Sequence, residues 1–111
     1  MTFTYKLKKE FMKKRRIKCY HVSHIKNRSS ILEKGLVPRN NELMEYNNRL
    51  FFSTNRNFLG FDYVDYVNVD IWSFELSEND IFPDKEGWSK FFAYTSKKIS
   101  KEKIKLEETI F

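Results

Sequence analysis

The chain has 111 residues, the size of one ordinary domain, with 41% apolar and 17% aromatic residues, enough to build a core and to exclude wholesale disorder. One cysteine, Cys19, excludes an intramolecular disulfide and a cysteine-based zinc site. No apolar run reaches the length of a membrane span and the N-terminus lacks the apolar stretch of a signal peptide, so a soluble, cytoplasmic protein without membrane or metal partners is expected.

The net charge of +6 is unevenly placed. Residues 1–18 hold eight Lys/Arg and one Glu, whereas residues 19–111 hold thirteen Lys/Arg and fourteen Asp/Glu. The basicity therefore belongs to an N-terminal arm, residues 1–16, ahead of a nearly neutral domain over residues 17–111. Phe3, Leu7 and Phe11 give that arm one apolar stripe at helical spacing. Lys8, Lys9, Lys13, Lys14, Arg15 and Arg16 fill the rest and suit a polyanion, either nucleic acid or an acidic protein surface. A solvated helix whose lysines only keep the chain soluble has the same composition.

Ile17 to Ser23 reads as a strand of β-formers. Asn27 is placed to cap a helix over Arg28 to Lys34, with Ile31 and Leu32 inward, Gly35 ending it and Pro38 preventing its resumption. The polar, Asn-rich residues 39–48 read as a loop, and Arg49 to Thr54 as a second strand. Asn55 begins a second helix over residues 56–66. Asn68 to Leu76 alternates as a strand, although Trp72 interrupts period two. Asp80, Pro83 and Asp84 mark a turn region, Phe91 to Thr95 a strand, Ser100 to Glu102 a turn, and Lys103 to Glu108 a closing strand. Early helices and late strands argue an α+β fold rather than a doubly wound sheet.

The run Tyr20-His21-Val22-Ser23-His24, followed by Ile31-Leu32-Glu33-Lys34-Gly35-Leu36-Val37-Pro38, carries a resemblance. It is similar to the opening of ADP-ribosyltransferase-like domains, which have a strand ending Tyr-His-hydroxyl, a short helix and Ile-Leu-x-x-Gly-Leu-x-Pro. Leu50-Phe51-Phe52-Ser53-Thr54 resembles their second strand, and Phe92 to Leu106 resembles their closing strand-turn-strand. The likeness spans about residues 17–108 and looks closest to toxins that modify thymidine in DNA. The tRNA 2′-phosphotransferases are a more distant match. It implies a small split β-sheet with flanking helices, and NAD as the substrate of a transferase acting on a nucleic acid or protein.

By this resemblance His21 holds the ribose beside the nicotinamide while the glycosidic bond breaks through a cation-like transition state. Phe51 and Tyr63 contact the flat nicotinamide ring, Ser53 and Thr54 add hydrogen bonds at the rim, and Ser23 belongs to the same cofactor-binding set. The family's catalytic glutamate is not matched, because Phe91 and Phe92 stand where it is expected. Asp62, Asp65 or Glu75 are the acidic residues left to substitute, and Arg28, Arg39, Arg49 and Arg56 are the candidates for a mechanism built on Arg and His.

Other readings of the same residues are plainer. His24 caps the helix start or faces solvent, and Cys19 is a small buried residue. The glycines stand too far apart for a phosphate-binding loop. Two functions from different classes follow: an NAD-dependent ADP-ribosyltransferase, or an inactive relative that inhibits by binding nucleic acid or protein. A small α+β module whose likeness is coincidental is a third. The Lys, Asn, Ile and Phe content is that of an AT-rich genome, such as a low-GC bacterium or its phage.

Overall fold

A computed structural model describes residues 15–41, 46–59, 67–85 and 90–111. Seven strands, one α-helix and three short 3₁₀ turns make up the regular elements among them. Strand β1 runs Arg16–His24, helix α1 Arg28–Lys34, β2 Arg39–Asn41, β3 Tyr46–Ser53, β4 Val69–Ser77, β5 Phe82–Pro83, β6 Phe92–Thr95 and β7 Lys105–Ile110. The strands form one antiparallel sheet in the order β5-β6-β3-β1-β4-β7, with β2 paired to β3. The chain is thus a small α+β fold, an open sheet with a single helix among the described residues.

Period-two geometry sorts β1 into two faces. Ile17, Cys19, His21 and Ser23 lie across Leu76, Phe74, Trp72 and Asp70 of β4 on the inner face. Arg16, Lys18, Tyr20, Val22 and His24 lie across Ser77, Glu75, Ser73, Ile71 and Val69 on the outer face. The core gathers on the inner face, where Cys19, Leu50, Phe52, Trp72, Phe74, Leu76 and Ala93 meet Ile31 of α1 with Leu36 and Ile99. Phe52 and Phe74 pack edge to face, with ring centroids 5.5 Å apart. Trp72, which interrupts the alternation in sequence, is 1% exposed because β4 is buried on both faces along Val69 to Phe74.

The chain after α1 turns at Gly35, whose φ is +80°. A β-carbon there would stand 2.2 Å from the carbonyl oxygen of Ile99, so only glycine fits. That approach lets Leu36 and Ile99 exchange two backbone hydrogen bonds of 2.9 Å, which ties the helix exit to the segment after β6.

Several elements differ from the sequence expectation. Part of the Asn-rich stretch expected as a loop is strand: Arg39–Asn41 forms β2, and β3 begins at Tyr46 rather than Arg49. The pairing of two short polar strands gives no apolar alternation to read. The helix expected from residue 56 does not begin there. Asn55 to Phe58 form a turn closed by the Phe58 amide on the Asn55 carbonyl, and residues 60–66 lie outside the described residues. Asn27 stands at the start of α1 but makes no side-chain cap; the imidazole Nδ1 of His24 instead accepts from the Lys26 amide at 3.1 Å, capping a 3₁₀ turn just before. The expected N-terminal helix lies outside the described residues up to Arg15. No helix among the described residues is long and apolar enough to cross a membrane.

Candidate functional site

The sheet opens between β1 and β3. Among the described residues these strands pair only at Tyr20 and Ser53, although both continue beyond it. Where the ladder stops, the His21 ring takes over: its Nδ1 stands 2.7 Å from the Phe51 carbonyl oxygen. A carbonyl can only accept, so Nδ1 carries the proton and Nε2 is the acceptor nitrogen of a neutral imidazole. Burial lowers the His21 pKa below its ordinary 6.5, the Phe51 carbonyl opposes this, and the nearby Arg39 charge adds to the lowering. The neutral, Nδ1-protonated ring is therefore the resting form.

A cleft of about 510 Å³ opens at this divergence. Its walls are His21, Ser23, Leu50 and Phe51 from the sheet, Ser30, Ile31 and Lys34 from α1, and Val37 and Arg39 beyond Gly35. Arg49 completes the cationic side. Ser23 is held by Trp72, whose indole N–H donates to its hydroxyl oxygen at 3.1 Å, and keeps its own O–H as a donor.

The position of α1 over the cleft is set by a buried charge. Asp70, completely buried on β4, receives two hydrogen bonds from Arg28 at the first turn of α1, at 2.9 and 2.7 Å. The Thr109 hydroxyl of β7 donates to the same carboxylate at 2.7 Å. These bonds, Arg28 foremost, hold the Asp70 carboxyl below its ordinary range despite burial. One carboxylate thus joins α1, β4 and β7, and Arg28 serves as a structural clamp rather than a cleft residue.

Arg39 and Arg49 face one another in the β2–β3 ladder. Like charges directly opposite in a sheet repel, and a bound anion would relieve the repulsion. The Arg49 guanidinium also stacks on Tyr94, 4.2 Å from the ring centroid, which fixes its plane. No Asp or Glu lines the cleft among the described residues. No family model, curated protein or solved structure matches this chain.

The sequence-derived candidates separate. His21, Ser23 and Phe51 come together on the cleft wall. Ser53 does not line it; it is buried, donates its hydroxyl to the Asn55 carbonyl at 3.0 Å and accepts from the Asn55 amide. Tyr63, Lys8, Lys9, Lys13 and Lys14 lie outside the described residues, as do Asp62 and Asp65. Arg15 pairs with Glu78 and Arg16 donates to the Glu75 carbonyl, both away from the cleft. Arg56 pairs with Glu108. Glu75 is exposed on the outer face, lining a different groove. Phe91, at the expected glutamate position, stacks on Phe58 at 5.2 Å.

Sequence reasoning left Lys34 and Ser30 unassigned, and it named Arg39 and Arg49 without a role. The usable signal was Lys34 beside Gly35, since a cation on the last helical turn before a sharp reversal projects with the turn. Cys19 is fully buried, and burial pushes its thiol up to about 12, which rules out a thiolate nucleophile. No group of three His, Cys, Asp or Glu among the described residues is placed to hold a metal.

Proposed function

We propose that the cleft between β1 and β3 binds NAD, in an ADP-ribosyltransferase-like protein that binds without carboxylate-assisted transfer. The observation that carries this reading is the composition of the wall among the described residues: a neutral histidine with one acceptor nitrogen beside three cations, and no carboxylate among those residues. The three cations, Arg39, Arg49 and Lys34, suit the two phosphates of a dinucleotide. Nε2 of His21 accepts from a ribose hydroxyl, and the Ser23 O–H donates to an adjacent sugar oxygen. A cleft of about 510 Å³ falls within the usual range for a small-molecule site. The sheet that parts beside the Tyr-His-Val-Ser strand is the place where the resemblance puts the nucleotide.

Transfer asks for more than binding. A carboxylate would polarise the nucleophile and stabilise the developing oxocarbenium ion. The residues at the expected position are Phe91 and Phe92, which do neither. The reading is therefore of a binding module, with ADP-ribosyl transfer to a nucleic acid or protein as the rival outcome.

Calorimetric titration of NAD into the wild type, His21→Ala and Arg39→Ala tests this. We expect binding by the wild type, affinity reduced roughly tenfold or more in each variant, and no release of nicotinamide. No binding by the wild type, or equal binding by all three, refutes the site. Nicotinamide release that disappears in His21→Ala replaces the binding module with the enzyme.

A further inference from the structure

We infer that the outer face of the sheet carries a second site, a basic groove that grips the phosphate backbone of nucleic acid independently of sequence. The groove, of about 410 Å³, is lined by Arg16 and Lys18 of β1, Ser73, Phe74 and Glu75 of β4, Lys103 at the end of the 3₁₀ turn before β7, and Lys105 at the start of β7. It lies on the face of β1 opposite His21 and Ser23 and does not depend on what the cleft binds.

Charge in this groove is gathered by tertiary structure. Arg16 and Lys18 are two residues apart on one strand face, about 7 Å along the chain. Pairing of β4 with both β1 and β7 brings Lys105 beside them, since Ser73 stands across Tyr20 on one side and Lys105 on the other. Four cations meet two carboxylates, Glu75 and Glu107. Glu107 accepts from the Ser73 hydroxyl, which chiefly holds its carboxyl below the ordinary range, and stands 3.4 Å from the Lys18 ammonium. Arg16 is anchored to a main-chain carbonyl, so that contact positions the guanidinium without neutralising it.

The occupant follows from the residue types. Three of the four cations are lysines on exposed backbone. Lysine is depleted at protein interfaces, whereas Lys and Arg supply the phosphate contacts of nucleic-acid interfaces. Among the described residues no exposed aromatic ring lines the groove to stack a base, so recognition runs through phosphates and extends to single strands and duplexes alike. The chain also enters the groove at Arg16 directly from residues 1–14, which carry five more lysines and one glutamate. Groove and arm together form one run of positive charge along the sequence.

Fluorescence anisotropy of the full chain with a labelled single strand and a duplex of the same sequence, between about 50 and 200 mM salt, tests the groove. The variants are Lys103→Gln with Lys105→Gln, and Lys26→Gln as a control just beyond the far end of β1. We expect both nucleic acids to bind and Lys26→Gln to behave as wild type. The double variant should bind more weakly, with a salt slope on the single strand shallower by about 1.4, or about 0.7 per lost phosphate contact. Wild-type affinity and slope in a folded double variant overturn the proposal, as does failure of the wild type to bind. Competition by poly-glutamate as effective as that by nucleic acid overturns it in favour of an acidic protein surface.

Discussion

The two faces of β1 hold charge in opposite ways. On the inner face, three polar groups are fixed by directional bonds: His21 to the Phe51 carbonyl, Ser23 to Trp72, and Asp70 to Arg28 and Thr109. On the outer face, Arg16, Lys18 and Lys105 are exposed, with a main-chain carbonyl and the half-buried Glu107 carboxylate for support. The first arrangement costs desolvation and needs complete partnering, and it yields a shaped, preorganised cleft. The second costs little, stays hydrated and acts over a distance set by ionic strength. Under the two proposals above, one strand serves a small ligand on one side and a polyanion on the other.

The contrast is broken most severely at the clamp. Arg28→Ala leaves the Asp70 carboxylate buried with only Thr109 as a side-chain partner, and the melting temperature should fall by about 10 °C or more. Arg28→Lys keeps the charge but loses the two-pronged geometry, so thermal denaturation should place it between the two. A variant as stable as wild type would show that Asp70 does not hold α1 in place.

The pH dependence of stability is a middle-sized test. The unfolded chain protonates His21 near its ordinary 6.5, while the folded chain keeps it neutral to lower pH. The unfolded state binds the extra proton in that window, so stability should fall as pH drops below about 6.5. His21→Gln should flatten the melting-temperature profile there. The Asp70 contribution runs in the same direction at more acid pH, being present above about 3.8 and lost as pH falls through its depressed folded value. An unchanged profile in His21→Gln would mean that folding does not shift the His21 pKa, and a profile that steepens would mean that the fold favours the charged ring.

The smallest effect belongs to the groove. Lys103→Gln with Lys105→Gln should move the melting temperature by no more than about 2 °C, because exposed charges contribute little to stability. The same pair is expected to change nucleic-acid binding, so a large loss of stability would erase the distinction between the faces.

Much of the scaffold is legible from local chemistry. Residues 17–23 as a strand, 28–34 as a helix and Gly35 as its end are all read from propensity, spacing and the need for a positive φ. Of the residues singled out by resemblance, His21, Ser23 and Phe51 share one wall, Ser53 is buried elsewhere, and Tyr63 lies outside the described residues. The polar strand β2 and the early start of β3 gave no such signal, because short exposed strands are stabilised by their partner rather than by an apolar pattern. Asp70 passed as one more polar residue in an alternating strand, since its partners lie 42 and 39 residues away.

What the sequence determined by itself was therefore local: the elements whose hydrogen bonds and turns close within a few residues, and the run of positive charge ahead of Ile17. Only the tertiary structure decided which cations line the cleft and which are clamps. Arg28, Arg39, Arg49 and Arg56 are alike in the chain, yet one holds Asp70, two line a cleft and one pairs with Glu108. The physical reason is that the role of a charge is set by the groups within a few ångströms of it, and antiparallel pairing supplies those groups from distant strands.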